Sequence, residues 1–259
     1  MAAWELLTPS ARLLPCPRLE EVFEAVSNSA ASYGVVPVEN TLAGSIHLSF
    51  DLLYQHKLFI IAETVCHIEH ALVSAPGVRL EDVRYVLSLP VALAQCEQFF
   101  RTHPEIQPVP EYDTAGAVEK VIKENRRDSA AIAGKRTAEI FGGVVLAEAI
   151  QDHQENYTRF ILISREPRPL AGSMRRKTTI VFKLANAPGA LFRSLRPFAE
   201  RGIDLTKIES RPIKGSPFEY LFYVDLVSEA GPSAAVEEAI RELEGISTAL
   251  RVLGTYPAS

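Results

Sequence analysis

Three stretches of this sequence set short polar side chains where a strand-like run gives way to a helix-like one, a placement suited to holding a small anion. The first is Val36-Pro-Val-Glu-Asn-Thr-Leu-Ala-Gly-Ser45, an apolar run that enters a polar cluster and then Gly44. Strand ends in open α/β sheets face a ligand crevice, and helix starts offer free backbone N–H groups to anions. Asn40, Thr41 and Ser45 add neutral donors for a carboxylate or hydroxyl. The same residues would also serve a capped helix start that holds no ligand. The second stretch is Tyr112-Asp-Thr-Ala-Gly-Ala117, where capping by Asp113 and Thr114 is the favoured reading. The third is Gln154-Glu-Asn-Tyr-Thr-Arg-Phe-Ile-Leu-Ile163, a buried-type strand entered through Asn156, Thr158 and Arg159. Successive strand residues point to opposite faces, so Thr158 and Arg159 cannot share one crevice if the strand is regular. A lone arginine there reads more readily as a surface ion-pair partner than as a catalytic group.

Other chemistries find no support. His67 and His70 are spaced i, i+3, which on a strand puts them on opposite faces and argues against a shared metal. There is no G-x-S-x-G, no Walker loop and no Ser/His/Asp order. Cys16, Cys66 and Cys96 are odd in number, widely spaced and free of any C-x-x-C pair, so neither a disulfide framework nor a zinc site is expected. A reducing cytoplasm suits them. The net charge of −5 supplies no overall field toward nucleic acid or an anionic membrane, although a local basic pocket is compatible with it. A hydrophobic fraction of 47% and a charged fraction of 23% are ordinary for a soluble globular protein. The opening MAAWELLTPSARLL lacks a signal-peptide pattern, and no window approaches the roughly 18 apolar residues of a membrane span.

The elements that must position these residues follow from periodicity. At 259 residues the chain fits two domains of unequal size. Helices are expected over Glu20–Val26, Pro90–Arg101 and Lys135–Phe141, and from an Asp113 cap to about Asn125. Strands are expected over Tyr33–Val38, Tyr85–Ser88, Ala130–Ala133 and Tyr157–Ser164, with extended segments through Lys57–Ser74. The alternation predicts α/β architecture with mostly parallel pairing. Arg165–Lys177 carries two prolines, a glycine and five basic residues, and reads as an interdomain linker or, alternatively, a long surface loop. Beyond it, strands at Thr178–Leu184, Ile203–Ser210, Glu219–Leu226 and Thr248–Leu253 alternate with helices at Pro188–Arg201 and Ser233–Leu243. That β-α-β-β-α-β order is the ferredoxin-like split motif, whose sheet would expose one face or an edge to a second copy.

In this order the three stretches resemble prephenate dehydratase. The family's V-P-(V/I)-E-N-(S/T)-x-x-G signature is matched by Val36 through Gly44, with Thr41 in the Ser/Thr position. Its T-A-x-A-A segment is approximated by Thr114-Ala-Gly-Ala117 followed by Val118, and its N-x-T-R-F signature is matched in full by Asn156 through Phe160. Asn186-Ala-Pro-Gly-Ala-Leu191 and Glu209-Ser-Arg-Pro212 look like the two phenylalanine-sensing motifs of an ACT domain. The resemblance spans about Leu13 to Thr255. It implies a two-lobed catalytic domain of the periplasmic-binding-protein type II fold over residues 1–164, a linker over 165–177 and a ferredoxin-like ACT domain over 178–259.

The implied reaction is the cofactor-free conversion of prephenate to phenylpyruvate, in which hydroxyl and carboxylate leave together and aromatisation drives the change. Thr158 would assist departure of the hydroxyl. Asn40, Thr41, Gly44, Ser45, Thr114, Ala115, Asn156, Arg159 and Phe160 would bind and position the dianion. Asn186, Pro188, Gly189, Ala190, Leu191, Glu209, Ser210, Arg211 and Pro212 would hold phenylalanine between ACT domains of a homodimer or homotetramer and lower activity. A cytoplasmic enzyme is implied, with no metal, nucleic acid or membrane partner.

The sequence departs from the family in two places. The family's S-H-P-Q-A-L-x-Q-C reads Ser88-Leu-Pro-Val-Ala-Leu-Ala-Gln-Cys96, with Leu89 and Val91 replacing His and Gln. The family's N-terminal strand and G-P-x-G-(T/A)-F-S loop have no counterpart, and Met1 through Leu7 reads as the middle of the following helix. On that reading, protein begun at Met1 is expected to be poorly soluble or inactive, and an upstream-extended form active. Two other functions fit the same motifs: an amino-acid sensor that has lost turnover, and an arogenate dehydratase.

Overall fold

A computed structural model of the chain describes residues 2–8, 10–170, 175–213, 215–228 and 234–259. Met1, Ser233 and residues 171–174 of the expected linker lie outside the described residues. The chain opens with α1 (Ala2–Leu6) and α2 (Leu19–Ser27), then β1 (Gly34–Asn40), β2 (Gly44–Ser45), α3 (His47–His56), β3 (Phe59–His67) and β4 (Ala71–Ser74). A 3-10 turn leads to β5 (Tyr85–Ser88), α4 (Pro90–Ala94), α5 (Glu97–Thr102), β6 (Gln107–Pro110) and α6 (Thr114–Lys123). Next come β7 (Ser129–Ala133), α7 (Arg136–Phe141), β8 (Val144–Ala147) and β9 (Tyr157–Ser164). The chain ends with β10 (Arg176–Lys183), α8 (Ala190–Glu200), β11 (Asp204–Pro212), β12 (Tyr220–Ser228), α9 (Ala234–Ile246) and β13 (Ala249–Pro257).

Two compact units share the chain, and the second interrupts the first: residues 1–39, 45–66 and 159–259 form one, residues 40–44 and 67–158 the other. The interrupted unit contains the sheet β2-β1-β9-β3 and, after it, the sheet β11-β12-β10-β13. The latter is antiparallel throughout, as the ferredoxin-like order requires. Period-2 alternation divides its side chains. Ile180 and Phe182 of β10 and Val224 and Leu226 of β12 pack with Phe198 of α8 and Leu243 of α9. Val181 and Tyr223, on the opposite face, join Phe23, Val36, Phe50, Leu53, Ile60 and Ile161 in a second core. At roughly 1.5–3 kcal/mol per fully buried large side chain, this second core is a substantial reason for the two sheets to stay together. Both faces of this sheet are therefore covered, which removes the exposed face from the two alternatives, a face or an edge, that the motif offers. At Gly254 the backbones come so close that a Cβ would lie 2.0 Å from the Ile60 carbonyl oxygen.

The other unit holds the five-stranded sheet β6-β5-β7-β4-β8. Pairing there is half parallel (β5 with β6 and β7) and half antiparallel (β4 with β7 and β8), not mostly parallel as expected. The reason is topological. β7 and β8 run the same way but leave a one-strand gap between them, and β4 fills it in the opposite direction. The expected helix over Pro90–Arg101 is also two helices, broken at Gln95 and Cys96. Asp152 causes the break: its carboxylate accepts from the N–H groups of Glu97 and Gln98 and so caps α5, while its own N–H donates to the Gln95 carbonyl.

Candidate functional site

Asn40 ends β1 and its side chain does two jobs. Oδ1 accepts from the N–H groups of Leu42 and Ala43 at 3.0 and 2.8 Å, which folds the turn toward Gly44, whose φ of +82° suits glycine. Nδ2 donates to Asn156 Oδ1 at 2.7 Å, Thr158 Oγ1 at 2.9 Å and the Tyr157 carbonyl at 3.1 Å. Residues 116 to 118 positions apart thus meet at one amide. Asn40, Asn156 and Thr158 are all buried, where a hydrogen bond made is worth more than in water and a missing one costs about 1–3 kcal/mol. Thr41 binds the same two chain segments: its N–H donates to the Tyr157 carbonyl, its hydroxyl accepts from Tyr157 N–H at 2.9 Å and donates to the Glu155 carbonyl.

Behind this group stands a residue that the three motifs left out. Gln95, at the break between α4 and α5, accepts through Oε1 from Asn156 Nδ2 at 3.1 Å and from His70 Nε2 at 2.8 Å. His70 is buried, which lowers its pKa although Gln95 pulls the other way, so the ring is neutral near pH 7. A neutral ring donating from Nε2 fixes the Gln95 carbonyl, and Gln95 in turn fixes the Asn156 amide. Only the S-x-P-x-A-L-x-Q-C stretch pointed to Gln95 from sequence. Leu89 precedes α4 half-buried and Val91 is exposed at 40%.

Thr114 begins α6, whose start is capped by Asp113 accepting from the N–H groups of Ala115 and Gly116. No hydrogen bond among the described residues joins Thr114 to Asn40 or Thr158. It follows β6 at the end of the five-stranded sheet where β5 and β6 stop at Ser88 and Pro110, whereas Asn40 and Thr158 lie on β1 and β9 of the other sheet. Ligands of open α/β sheets sit beyond such strand ends.

Arg159 and Ser45 have other partners, in the interrupted unit. Arg159 is an ion-pair partner, but a buried one and not on the surface. Its Nε, Nη1 and Nη2 reach Glu63 at 2.7 Å, Asp225 at 2.6 Å and the Tyr256 hydroxyl at 2.9 Å. Burial works against the charge; Tyr256, Asp225 and Glu63 outweigh it and raise the guanidinium pKa further. Regular alternation along β9 is what turns Arg159 away from Thr158. Phe160 follows it, half-buried. Ser45 is bonded to Glu209 and Lys207.

In the sensing-type motifs, alternation along β11 again separates neighbours. Glu209 and Arg211 turn inward to Ser45 and to Asp51, while Ser210 and Pro212 are exposed. Asn186, Pro188, Gly189 and Leu191 are exposed and Ala190 half-buried around the start of α8, which Gly189 enters at φ +73°.

His67 and His70 go separate ways, His67 to the Gln154 carbonyl and His70 to Gln95. Among the described residues no cluster of three or more His, Cys, Asp or Glu could hold a metal ion, and no helix is long and apolar enough to cross a membrane. Burial pushes the Cys96 thiol up to about 12, with Asp152 adding to it, so it is a poor nucleophile near neutral pH.

Comparison with known proteins gives consistent matches over the whole length. A family model for prephenate dehydratase matches residues 1–168 and one for the ACT domain matches residues 178–244. "Arogenate dehydratase/prephenate dehydratase 2, chloroplastic" of Arabidopsis thaliana is 42% identical over 265 residues, 99% of this chain and 69% of that protein. The structure of a prephenate dehydratase in complex with L-Phe, from Arthrobacter aurescens, is similar with a TM-score of 0.85 at 34% identity, covering 98% of this chain and 85% of that one. GqqA, described as a novel type of quorum quenching acylase, is similar with a TM-score of 0.86 at 35% identity, covering 99% and 93%.

Proposed function

We propose, for a chain that belongs to the prephenate dehydratase family and carries an ACT domain behind it, the decarboxylating dehydration of prephenate to phenylpyruvate, with feedback by phenylalanine. The observation that carries this reading is the meeting of Asn40, Asn156 and Thr158 at one buried amide. Thr158 Oγ1 accepts from Asn40, so its own proton is free to point at a departing oxygen. In the reaction the ring C–O bond breaks with its electron pair going to oxygen, the C–C bond to the carboxylate breaks with its pair entering the ring, and one proton ends in water. Thr158 is the donor to that oxygen and draws its proton back from solvent. A threonine hydroxyl is a weak acid, so prealigned amides supply much of the rest.

Asn40→Asp separates the two jobs of that side chain. The carboxylate keeps the acceptor used by Leu42 and Ala43 but sets an oxygen without a hydrogen against Asn156 Oδ1 and Thr158 Oγ1. Turnover is expected to fall by about 100-fold or more, as when a positioned donor is lost from an oxyanion site, with the far-UV circular dichroism unchanged. A kcat within about threefold of wild type would remove Asn40 from the site.

By function we divide the chain at 165–177, with the dehydratase before and the ACT domain after; in support, the two family matches end at 168 and begin at 178. A homo-oligomer acting in a reducing cytoplasm is part of the same reading, and the three unpaired cysteines suit it. A second substrate has specific support: the Arabidopsis relative carries arogenate first in its name. Acyl hydrolysis, the activity given for GqqA, has less, because the partner of the Thr158 hydroxyl is an amide and not a base. The test is chromatography of products from the purified chain given prephenate or arogenate, with and without phenylalanine. Phenylpyruvate from prephenate, reduced by phenylalanine, is expected. Phenylalanine formed from arogenate alone would move the assignment to the second substrate. Binding of phenylalanine with neither product would leave a sensor without turnover.

A further inference from the structure

Ser45 stands out because both hydrogen-bonding roles of its hydroxyl are filled from β11. Lys207 Nζ donates to Ser45 Oγ at 2.8 Å, and Ser45 Oγ donates to Glu209 Oε2 at 2.8 Å. The other Glu209 oxygen lies 3.0 Å from His47 Nε2. Lys207 also reaches Glu39 at 3.3 Å, lies over the Phe50 ring at 5.3 Å, and has a side chain only 7% exposed. Two positions beyond Glu209, Arg211 pairs with Asp51 of α3 at 2.9 Å. Lys207, Glu209 and Arg211 share one face of β11 by alternation, and each engages residues within Glu39–Asp51. A nearly buried ammonium with one hydroxyl and two carboxylates around it is a defined arrangement and not a mobile surface pair.

We propose that Lys207 and Glu209 are positioning residues for the signature segment: Lys207 holds Glu39 and the Ser45 oxygen, and Glu209 sets the direction of the Ser45 proton. An amino-acid effector at the ACT domain acts on turnover by displacing Glu209 from Ser45, which then loosens the hold of Lys207 on Glu39. The inference rests on the dehydratase reading above and assigns the route of its regulation. Glu209 is on this account a link between the two parts of the chain.

The test uses the full chain and three forms, wild type, Lys207→Met and the conservative Lys207→Arg, with kcat, KM and thermal midpoint measured for each, and phenylalanine binding followed by calorimetry beside its dose–response on turnover. In Lys207→Met, kcat is expected to fall about tenfold with KM little changed, as for a positioning defect. Phenylalanine should still bind within about threefold of its wild-type affinity, yet change turnover less than about twofold, the coupling having been lost. Lys207→Arg should recover most of both properties. Unchanged kcat and unchanged inhibition in a folded Lys207→Met would overturn the proposal while leaving the dehydratase reading intact. So would a Lys207→Met that has lost phenylalanine binding and thermal stability together, or a Lys207→Arg as impaired as Lys207→Met, since these mark a merely structural role. A wild-type chain that turns over neither prephenate nor arogenate would overturn the dehydratase reading and this proposal with it.

Discussion

Thr158→Val is expected to give a folded protein whose kcat is lower by about 10²- to 10⁴-fold, the range for loss of a positioned proton donor. Valine has the shape of threonine, so the packing of β9 stays intact, and what disappears is one hydroxyl. Asn40 Nδ2 keeps Asn156 Oδ1 and the Tyr157 carbonyl as acceptors, so no buried donor is stranded. The stability loss should therefore be close to that of one hydrogen bond, about 1 kcal/mol. KM is expected to stay within about threefold, because the lost interaction strengthens only as the C–O bond breaks. Thr158→Ser, which restores the hydroxyl on a less restrained side chain, should recover a large part of the rate. Steady-state kinetics with prephenate and arogenate check this, and a Thr158→Val enzyme with kcat near that of wild type would show that the hydroxyl takes no part.

Arg159→Met acts on folding instead of chemistry, and its expected cost is about 3–5 kcal/mol in urea unfolding, the range for removing one partner of a buried ion pair. Glu63 is completely buried in its side chain and Asp225 nearly so. Lys177 and the Ser259 N–H would still reach Glu63, whereas Thr179 would remain the chief partner of Asp225. The pH dependence gives a sharper check. In the wild-type chain burial acts to raise the Glu63 pKa, but Arg159, Lys177 and Ser259 outweigh it and hold the value below the ordinary carboxylate range. A depressed carboxylate stabilises the fold above its unfolded value, about 4.3, and that contribution is lost as pH falls through the folded value. Without Arg159 burial is opposed by less, the Glu63 pKa moves up, and the variant regains stability relative to wild type as the group protonates. The difference in unfolding free energy between the two proteins should narrow as pH falls from about 7 to about 4. A difference that is constant over that interval, or below about 1 kcal/mol throughout, would mean that the arginine is not holding these charges in the folded state.

Much of the local structure was legible along the chain. Tyr85–Ser88 and Tyr157–Ser164 are strands at the expected bounds, and Asp113 caps α6 as its side chain predicts. These depend on neighbours within a few residues, as does the turn in which Asn40 Oδ1 accepts from Leu42 and Ala43. The order of the motifs likewise carried the family and the domain order, because each motif is contiguous. The β6 and β8 strands went unread: Gln107–Pro110 contains two prolines and sits at a sheet edge, where missing N–H donors are tolerated, and Val144–Ala147 is four residues at the opposite edge.

Sequence by itself determined most of the helix and strand types, the alternation that parts Thr158 from Arg159, and which short polar residues stand at chain turns. Only the tertiary structure decided who meets whom: Gln95 with Asn156 across 61 positions, Arg159 with Asp225 across 66, Lys207 with Ser45 across 162. It also decided that Asp152 splits Pro90–Arg101 into two helices and that β4 runs against its neighbours. Propensity and periodicity act over one or two turns of chain, whereas a buried charge or amide takes whatever partner the packing of distant strands brings within about 3 Å of it.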